Sequence, residues 1–288
     1  MPGMPRISIV TPSYNQAAFL EKTILSVLGQ GYPNLEYVIM DGGSTDGSVD
    51  IIRKYERHLK HWVSEKDKGQ TDAVNRGLAM CTGDILDWIN SDDRLKPGAF
   101  DALLGAVAER PDAGAWVGGC DLVDADGRYI STNRPRGLVR EKMADWGGAG
   151  HFFQPSCFIA RKAWEKHGPL DVWHNMCFDV DFYLKMAREF EFHGVDAVLT
   201  EATIHKDAKT QAQKPILRAE IYVMQARHGF LDLARKNIAG AVALAIDSKR
   251  LEEELKTARK AFMDAGAQPP PGGLSAAISR LRSRLIKR

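Results

Sequence analysis

The sequence has no long apolar run, few cysteines and almost no net charge. No window approaches the about 20 consecutive apolar residues that a membrane-spanning helix needs. The four cysteines are widely spaced and match no zinc-binding pattern, so we expect free and mostly buried thiols in a reducing cytosol. A formal net charge of +2 creates no overall field that would attract nucleic acid, and we expect no nucleic-acid partner.

The composition is typical of a soluble globular protein. Hydrophobic residues make up 44% and charged residues 26% of the 288 residues, which suits one large domain with appendages or two small domains. The chain leads directly into a predicted strand at residues 6–11. We therefore expect no signal peptide and a cytoplasmic location.

Strand-like and helix-like patterns alternate in the first half of the chain. Short apolar runs predict strands at residues 7–11, 35–41, 61–64 and 84–89, with helical spacing between them. This alternation predicts an α/β fold with a mostly parallel central sheet and helices on both faces. The second half differs, with a predicted hairpin (residues 115–123 and 128–132) followed by predicted helices (residues 161–167, 178–190 and 214–262).

Polar residues follow three of the predicted strands. Residues 11–15 read TPSYN, residues 41–48 read DGGSTDGS, and residues 90–93 read NSDD. In open α/β sheets, ligands bind beyond the carboxyl ends of the strands. We therefore expect all three segments to line one crevice.

The second of these segments begins with one acid and two glycines. A carboxylate at Asp41 can accept a hydrogen bond from a ligand, and Gly42 and Gly43 allow close approach or a positive φ. The alternative is a tight turn, capped by Asp46 or Ser48, that binds no ligand. The segment matches neither the G-x-G-x-x-G pattern nor the Walker pattern, which argues against a dinucleotide or P-loop site.

The adjacent acids Asp92 and Asp93 are a stronger signal. Two neighbouring carboxylates are unfavourable unless a cation or a proton relieves their repulsion. Oxygen ligands of this kind suit Mg²⁺ or Mn²⁺, and such ions are often shared with a substrate diphosphate. Alternatively, an Asp caps the helix expected to begin at Pro97, or Arg94 neutralises the pair.

Four segments together resemble the family 2 glycosyltransferases. TPSYN, DGGSTDGS, DKGQTDAVNRG (residues 67–77) and NSDD match that family in order and spacing, and the resemblance covers about residues 5–206. It implies the GT-A fold, a Rossmann-like α/β/α sandwich, and transfer of a sugar from a nucleotide-sugar with inversion at the anomeric carbon. One departure is Asp-Gly-Gly-Ser at residues 41–44, where many members have Asp-Asp-Gly-Ser.

The resemblance also implies roles for single residues. Thr11 and Asp41 are expected to hold the nucleobase, which is expected to be uracil, with Tyr14 and Asn15 beside it. His151 and Gln154 precede a segment similar to the acceptor-side wall. The full set of substrate-binding residues predicted in this way is Thr11, Pro12, Tyr14, Asn15, Asp41, Gly43, Asp72, Asn75, Arg76, Asn90, Ser91, Asp92, His151 and Gln154.

The same resemblance implies a divalent metal cofactor, Mn²⁺ or Mg²⁺. The NSDD segment takes the place of the family's metal-binding acidic motif, but Asn90 stands where many relatives have Asp. Asp92 and Asp93 are left for the ribose and metal contacts, without a decision between them. His205, after an apolar run, is the third expected metal ligand. Its alternative role is that of a structural hydrogen-bond donor.

The catalytic base is expected in the second half of the chain. Residues 178–181 (FDVD) resemble the acidic motif with which the family begins a helix, and Asp179 matches the position of the base. On a helix Asp179 and Asp181 point about 200° apart, so only one readily faces the reaction. Asp181 is expected to orient the local structure. The alternative is that both acids only favour the positive end of the helix.

The predicted organisation comprises a catalytic domain and three appendages. Residues 1–210 form the glycosyltransferase domain (nucleotide-sugar half 1–110, acceptor half 111–210), followed by a helical extension (211–266), a linker (267–273) and a basic amphipathic helix (274–288). The last segment carries five cations, no acid and an apolar seam, which suits a membrane surface. It equally suits a homo-oligomer contact, because Leu251, Leu255, Ala258 and Phe262 repeat at coiled-coil spacing.

The function predicted from the sequence is that of an inverting glycosyltransferase. The donor is expected to be a UDP-linked sugar, and the acceptor a glycan or a lipid-linked saccharide in cell-surface polysaccharide biosynthesis. Such an enzyme would work in the cytoplasm, including the inner face of the cell membrane. The alternatives are a sugar nucleotidyltransferase and a non-catalytic nucleotide-binding scaffold. The first usually carries a glycine-rich basic loop after its first strand, and TPSYN is neither.

Overall fold

The structure, a computed structural model, describes residues 3–146, 151–205 and 208–264. It comprises two compact units, Met1–Met224 and Gln225–Arg288. The predicted linker (267–273) and basic helix (274–288) lie outside the described residues, as do the side chains of the seam that begins at Leu251. The predicted domain boundaries therefore stay a prediction.

Within the described residues the chain forms nine strands and ten α-helices. The strands are β1 (Ile7–Ser13), β2 (Leu35–Asp41), β3 (His61–Ser64), β4 (Ile85–Trp88), β5 (Arg94–Leu95), β6 (Ala115–Asp124), β7 (Tyr129–Asn133), β8 (Cys157–Ala160) and β9 (Phe192–Ile204). The α-helices are α1 (Ala17–Leu28), α2 (Ser48–Tyr55), α3 (Gln70–Met80), α4 (Ala99–Glu109), α5 (Arg140–Ala144), α6 (Arg161–His167), α7 (Phe178–Met186), α8 (Lys209–Ala212), α9 (Lys214–Arg227) and α10 (Leu231–Asp264).

The strands of the first unit form one continuous sheet in the order β3-β2-β1-β4-β8-β6-β9-β5, with β7 beside β6. The first four strands of this order, β3, β2, β1 and β4, are parallel to one another. Strand β8 then joins β4 and β6 in antiparallel pairs, while β6 and β9 are parallel. The predicted hairpin is confirmed, since β7 is antiparallel to β6.

The apolar composition of the central strands explains their position. Ile7, Ile9 and Val10 of β1 are completely buried, as expected for a parallel strand covered by helices on both faces. Gly77 allows α3 to approach β1 closely, because a Cβ atom there would lie 2.5 Å from Cγ1 of Val10. Because residue 77 has no side chain, α3 and its polar residues can lie close to β1, the strand that leads into the TPSYN segment.

One expected helix start differs from the structure. Pro97 was expected to open the next helix, but α4 begins at Ala99 and Gly98 takes the N-cap position with a φ of +76°. An acid of the NSDD segment therefore does not cap α4. A glycine stands there because the chain enters the helix through the left-handed region.

Two expectations about the whole chain can also be compared with the structure. Cys81, Cys120, Cys157 and Cys177 are all free and buried, as predicted. Among the helices that the structure describes, none is long and apolar enough to cross a membrane.

Candidate active site

The NSDD segment follows β4, and its two acids have different surroundings. The Asp93 side chain is buried, and its two carboxylate oxygens accept hydrogen bonds from Nδ2 of Asn90 (3.1 Å) and the backbone N–H of Thr203 (3.3 Å). Burial, and then the charge of the neighbouring Asp92, hold the pKa of Asp93 well above its ordinary value. The Asp92 side chain is 20% exposed and therefore more accessible to a ligand.

Asp92 is paired with His205, which lies directly after the end of β9. Oδ2 of Asp92 and Nε2 of His205 are 3.1 Å apart. The imidazole ring of His205 stacks on Phe19, with 4.9 Å between the ring centroids. A carboxylate oxygen and an imidazole nitrogen at this separation can both bind one ion, and this donor set fits Mn²⁺ or Mg²⁺. The structure thus brings together two of the three predicted metal ligands, with the third buried beside them.

Asn90 connects the acidic segment to two other elements. Its Oδ1 accepts a hydrogen bond from Nε2 of Gln70 (2.8 Å), and its Nδ2 lies 3.4 Å from Oε1 of Gln154. Nε2 of Gln154 donates in turn to the backbone carbonyl of Trp88 at 2.7 Å. Asn90 and Gln154 were both predicted as site residues, and the structure places them in contact. Gln70, at the start of α3, was not predicted.

The side chain of Asp41 is tied into its own turn. Oδ2 accepts hydrogen bonds from the backbone N–H of Ser44 (2.9 Å), the backbone N–H of Gly43 (3.1 Å) and the hydroxyl of Ser64 (2.6 Å). Only 2% of the Asp41 surface is exposed. These contacts match the tight turn that was the alternative interpretation of this segment. A ligand that binds Asp41 would therefore share its carboxylate with these hydrogen bonds.

Other predicted nucleobase residues surround this turn. Thr11 is buried, and its hydroxyl is 2.9 Å from the hydroxyl of Tyr37 in the core. Asn15 has a φ of +53°, and its Oδ1 accepts a hydrogen bond from the backbone N–H of Thr45 at 2.9 Å. Tyr14 is 63% exposed, and its ring lies against Gly42. Of the side chains in the TPSYN segment predicted to bind, Tyr14 and Asn15 are exposed, whereas Thr11 and Pro12 are buried.

Three predicted residues lie on α3 and make local contacts. Asn75 forms two hydrogen bonds with the backbone of Leu170, donating to its carbonyl (2.9 Å) and accepting from its N–H (2.8 Å). Arg76 pairs with Glu65. Oδ2 of Asp72 accepts a hydrogen bond from the N–H of Lys68 at 3.2 Å. Asn75 therefore links α3 to the loop that precedes α7.

The remaining predicted residues contact neighbouring strands and helices. Nε2 of His151 is 3.2 Å from Nδ2 of Asn133 on β7. Pro12 is paired with Met40 in the sheet, and the backbone carbonyl of Ser91 accepts a hydrogen bond from Thr23 at 2.9 Å.

The two acids of the FDVD segment differ sharply. Asp179, in the first turn of α7, is half-buried, and its Oδ1 accepts a hydrogen bond from the backbone N–H of Val180 at 2.8 Å. Burial raises its pKa to about 6, although this N–H and the ammonium of Lys209 act in the opposite direction. Asp181 is only 1% exposed, and its Oδ2 lies 2.6 Å from Nζ of Lys185. Asp181 thus has a basic partner on its own helix, whereas Asp179 is the more available base.

Strand β4 contains a buried acid that was not predicted from the sequence. Asp87 is completely buried, and its Oδ1 accepts a hydrogen bond from Nε2 of Gln154 at 3.2 Å. Burial holds the pKa of Asp87 well above its ordinary value. An acid inside an otherwise apolar strand is a signal that the sequence already contained, since a buried carboxyl group needs a partner or a proton.

Lys209, the first residue of α8, was also missed. Its Nζ donates to the backbone carbonyl of Asn175 (2.5 Å) and lies 3.5 Å from Oε1 of Gln70. Burial lowers its pKa, an effect opposed by the negative charges of Glu220 and Asp179. A single lysine in a polar segment has no sequence signature that separates it from an ordinary surface charge.

Comparison with known proteins identifies the family. The sequence profile of glycosyl transferase family 2 matches residues 8–168, more than half of the chain, and the chain belongs to this family. It is 34% identical over 117 residues to the putative teichuronic acid biosynthesis glycosyltransferase TuaG of Bacillus subtilis, a match that covers 40% of this chain and 46% of TuaG.

Two solved structures share the fold. A fragment of S. aureus TarS (1–349) in complex with UDP-GlcNAc has a TM-score of 0.56 at 15% identity, covering 76% of this chain and 66% of that chain. The mannosyltransferase PcManGT from Pyrobaculum calidifontis, in complex with GDP-Man and Mn²⁺, has a TM-score of 0.56 at 20% identity, covering 99% and 86%. The predicted GT-A fold is confirmed.

Proposed function

We propose that the protein is an inverting glycosyltransferase that moves a sugar from a UDP-linked donor to a hydroxyl group of a glycan or lipid-linked acceptor. The observation that carries this proposal is the placement of Asp179, which is half-buried in the first turn of α7 and accepts a hydrogen bond from the backbone N–H of Val180. Burial also raises the pKa of Asp179 to about 6, which favours its action as a base near neutral pH. Family membership supplies the reaction class, and Asp179 supplies the base that a single displacement requires.

The proposed reaction is one displacement at the anomeric carbon. The carboxylate of Asp179 takes the proton of the acceptor hydroxyl, and the acceptor oxygen forms a bond to the anomeric carbon. The bond between that carbon and the diphosphate oxygen breaks, and its electron pair leaves with the nucleoside diphosphate. Because the acceptor attacks from the face opposite the leaving group, the configuration is inverted.

Asp92 and His205 are the proposed ligands of a divalent cation. Their oxygen and nitrogen donors, 3.1 Å apart, fit Mn²⁺ or Mg²⁺. Asp93 is proposed to hold the NSDD segment in place and not to be a primary ligand of the cation, because both of its carboxylate oxygens already accept hydrogen bonds. When bound, the cation would neutralise charge on the leaving diphosphate. The complex of PcManGT with Mn²⁺ supports a divalent cation in this fold.

The substrate classes are proposed from the similar proteins. The UDP-GlcNAc complex of TarS supports a UDP-linked donor, and the name of TuaG supports an acceptor in cell-surface polysaccharide biosynthesis. Val172 and Trp173, in the loop before α7, are 69% and 60% exposed and offer an apolar surface near the base on which a sugar ring could stack. A lipid-linked acceptor would bring the protein to the inner face of the cell membrane.

The proposal is tested with a panel of nucleotide-sugars, Mn²⁺ and candidate acceptors. Wild-type protein should release UDP from one donor, and the product should carry the opposite anomeric configuration by proton NMR. Asp179→Asn should abolish transfer while UDP affinity changes little, because the base acts on the acceptor. Asp181→Asn is the matched control, compared at equal folded concentration. Retained configuration, or a normal rate for Asp179→Asn with none for Asp181→Asn, would refute the mechanism.

A further inference from the structure

Lys209 is connected to the acidic segment by a chain of contacts. Its ammonium lies 3.5 Å from Oε1 of Gln70, Nε2 of Gln70 donates to Asn90 at 2.8 Å, and Nδ2 of Asn90 donates to Asp93 at 3.1 Å. The centroid of the Phe178 ring is 6.0 Å from Nζ of Lys209. The ammonium is therefore adjacent to the first turn of α7, which carries Asp179, and is linked to the residues beside the proposed metal ligands.

The ammonium of Lys209 has more donors than it has close acceptors within the part of the chain that the structure describes. An ammonium group carries three N–H donors. Among the described residues it has one close acceptor, the backbone carbonyl of Asn175 at 2.5 Å, and one distant acceptor, Oε1 of Gln70 at 3.5 Å. A half-buried cation gains more from an anionic partner than an exposed one, because solvent screens the interaction less.

The position of the Lys209 ammonium suits contact with the phosphate that is bonded to the sugar. In a nucleotide-sugar the β-phosphate carries the anomeric carbon, so it must lie near both the proposed metal ligands and the reacting centre. On one side the ammonium of Lys209 is connected to Asn90 through hydrogen bonds. On the other side it is close enough to Asp179 for the two charges to interact. Negative charge grows on this phosphate as the glycosidic bond breaks, and a positioned cation stabilises that charge.

We infer that the ammonium of Lys209 binds the β-phosphate of the nucleoside diphosphate, both in the donor and as it leaves. This inference rests on the proposed function. Lys209 is then a substrate-contacting residue that discriminates nucleoside diphosphates from monophosphates. Its contact with the Asn175 carbonyl holds the side chain in the site before the donor arrives.

Calorimetry with uridine, UMP and UDP in the presence of Mn²⁺ tests the inference on the full-length protein. Lys209→Ala should weaken UDP binding by about tenfold or more, since a charge-assisted hydrogen bond is lost, and UMP binding by less than about threefold. Lys209→Arg should recover part of the loss because it keeps the charge. Lys214→Ala, which removes an exposed cation at the start of α9, should leave all three affinities unchanged.

Each other outcome overturns the inference. Equal losses for UDP and UMP, or no loss, would show that Lys209 does not contact the β-phosphate. Unchanged UDP affinity with a shifted pH profile of turnover would mean that Lys209 acts through Asp179 instead. Wild-type protein that binds neither UDP nor UDP-sugars better than uridine would refute the proposed donor, and this assignment with it.

Discussion

Replacing Asp179 by Asn should make the protein more stable above neutral pH, although it removes the proposed base. Asp179 is half-buried, and burial raises its pKa from 3.8 to about 6. An ionised carboxylate is therefore held in surroundings that favour the protonated form. Asn has the same shape, carries no charge and retains an oxygen that can accept the hydrogen bond from the backbone N–H of Val180.

The size of the effect follows from linkage between proton binding and folding. Below about pH 3.8 the folded and unfolded chains both hold the proton, and the charge costs nothing. Between the two pKa values the unfolded chain loses its proton first, so the stability of the wild type falls as the pH rises. Above about pH 6 both chains are ionised, and the loss of stability no longer changes with pH. The difference between the two pKa values, 3.8 and about 6, corresponds to a loss of about 3 kcal/mol in the free energy of unfolding. Asp179→Asn removes this deficit.

Urea unfolding followed by tryptophan fluorescence provides the measurement. All six tryptophans precede residue 225, so the signal reports on the first unit. The free energy of unfolding of Asp179→Asn should exceed that of the wild type by up to about 3 kcal/mol at about pH 8, and by much less at about pH 4.5. The matched control is Asp181→Asn, which loses a contact with Lys185 and should be less stable than the wild type at about pH 8.

One result would refute this reasoning about Asp179. If Asp179→Asn is no more stable than the wild type at about pH 8, the carboxylate is well solvated in the folded protein and its pKa is ordinary. Burial would then not prepare Asp179 to act as a base. An increase in stability that is independent of pH would exclude the charge as the cause.

Three further predictions concern other contacts of the site. Asp92→Asn should weaken Mn²⁺ binding by at least about tenfold, measured by electron paramagnetic resonance of the free ion, and unchanged affinity would exclude Asp92 as a ligand. Because burial raises the pKa of Asp87, Asp87→Asn should raise the free energy of unfolding at about pH 8 and change it little at about pH 4, whereas a loss at about pH 8 would contradict a raised pKa. Asn75→Ala should cost roughly 1–3 kcal/mol in urea unfolding, because the backbone N–H and carbonyl of Leu170 lose their partner; a cost near zero would show that water replaces it.

Much of the fold could be predicted because its signals are local. Buried parallel strands such as β1 are apolar almost throughout, and Asp126-Gly127 is a strong signal for the hairpin of β6 and β7. Helix ends were predicted less well, since the chain enters α4 through a left-handed Gly98 rather than at the preceding proline. Nothing in the local pattern separates these two ways of starting a helix.

The site was harder to predict because side-chain contacts join distant parts of the chain. The polar segment after β4 was recognised, but its contacts with Gln70 and Gln154 depend on how β4, α3 and the segment before β8 pack. Thr11 carries a hydroxyl that matches a binding motif, yet the structure turns it towards Tyr37 in the core. The direction of a side chain at a strand end depends on tertiary packing, which sequence spacing does not contain.

The continuous sheet limits how this enzyme can close around its substrates. Strand β8 pairs with β4 on one side and β6 on the other, so the predicted nucleotide-sugar half and the predicted acceptor half share one hydrogen-bonded layer. Two separate lobes that rotate about a hinge are the usual way to enclose a ligand, but here such a rotation would have to break the ladder between Leu86 and Ile159. Any movement that encloses a substrate would therefore have to come from segments outside the sheet, with the strand ends held in place by their hydrogen bonds.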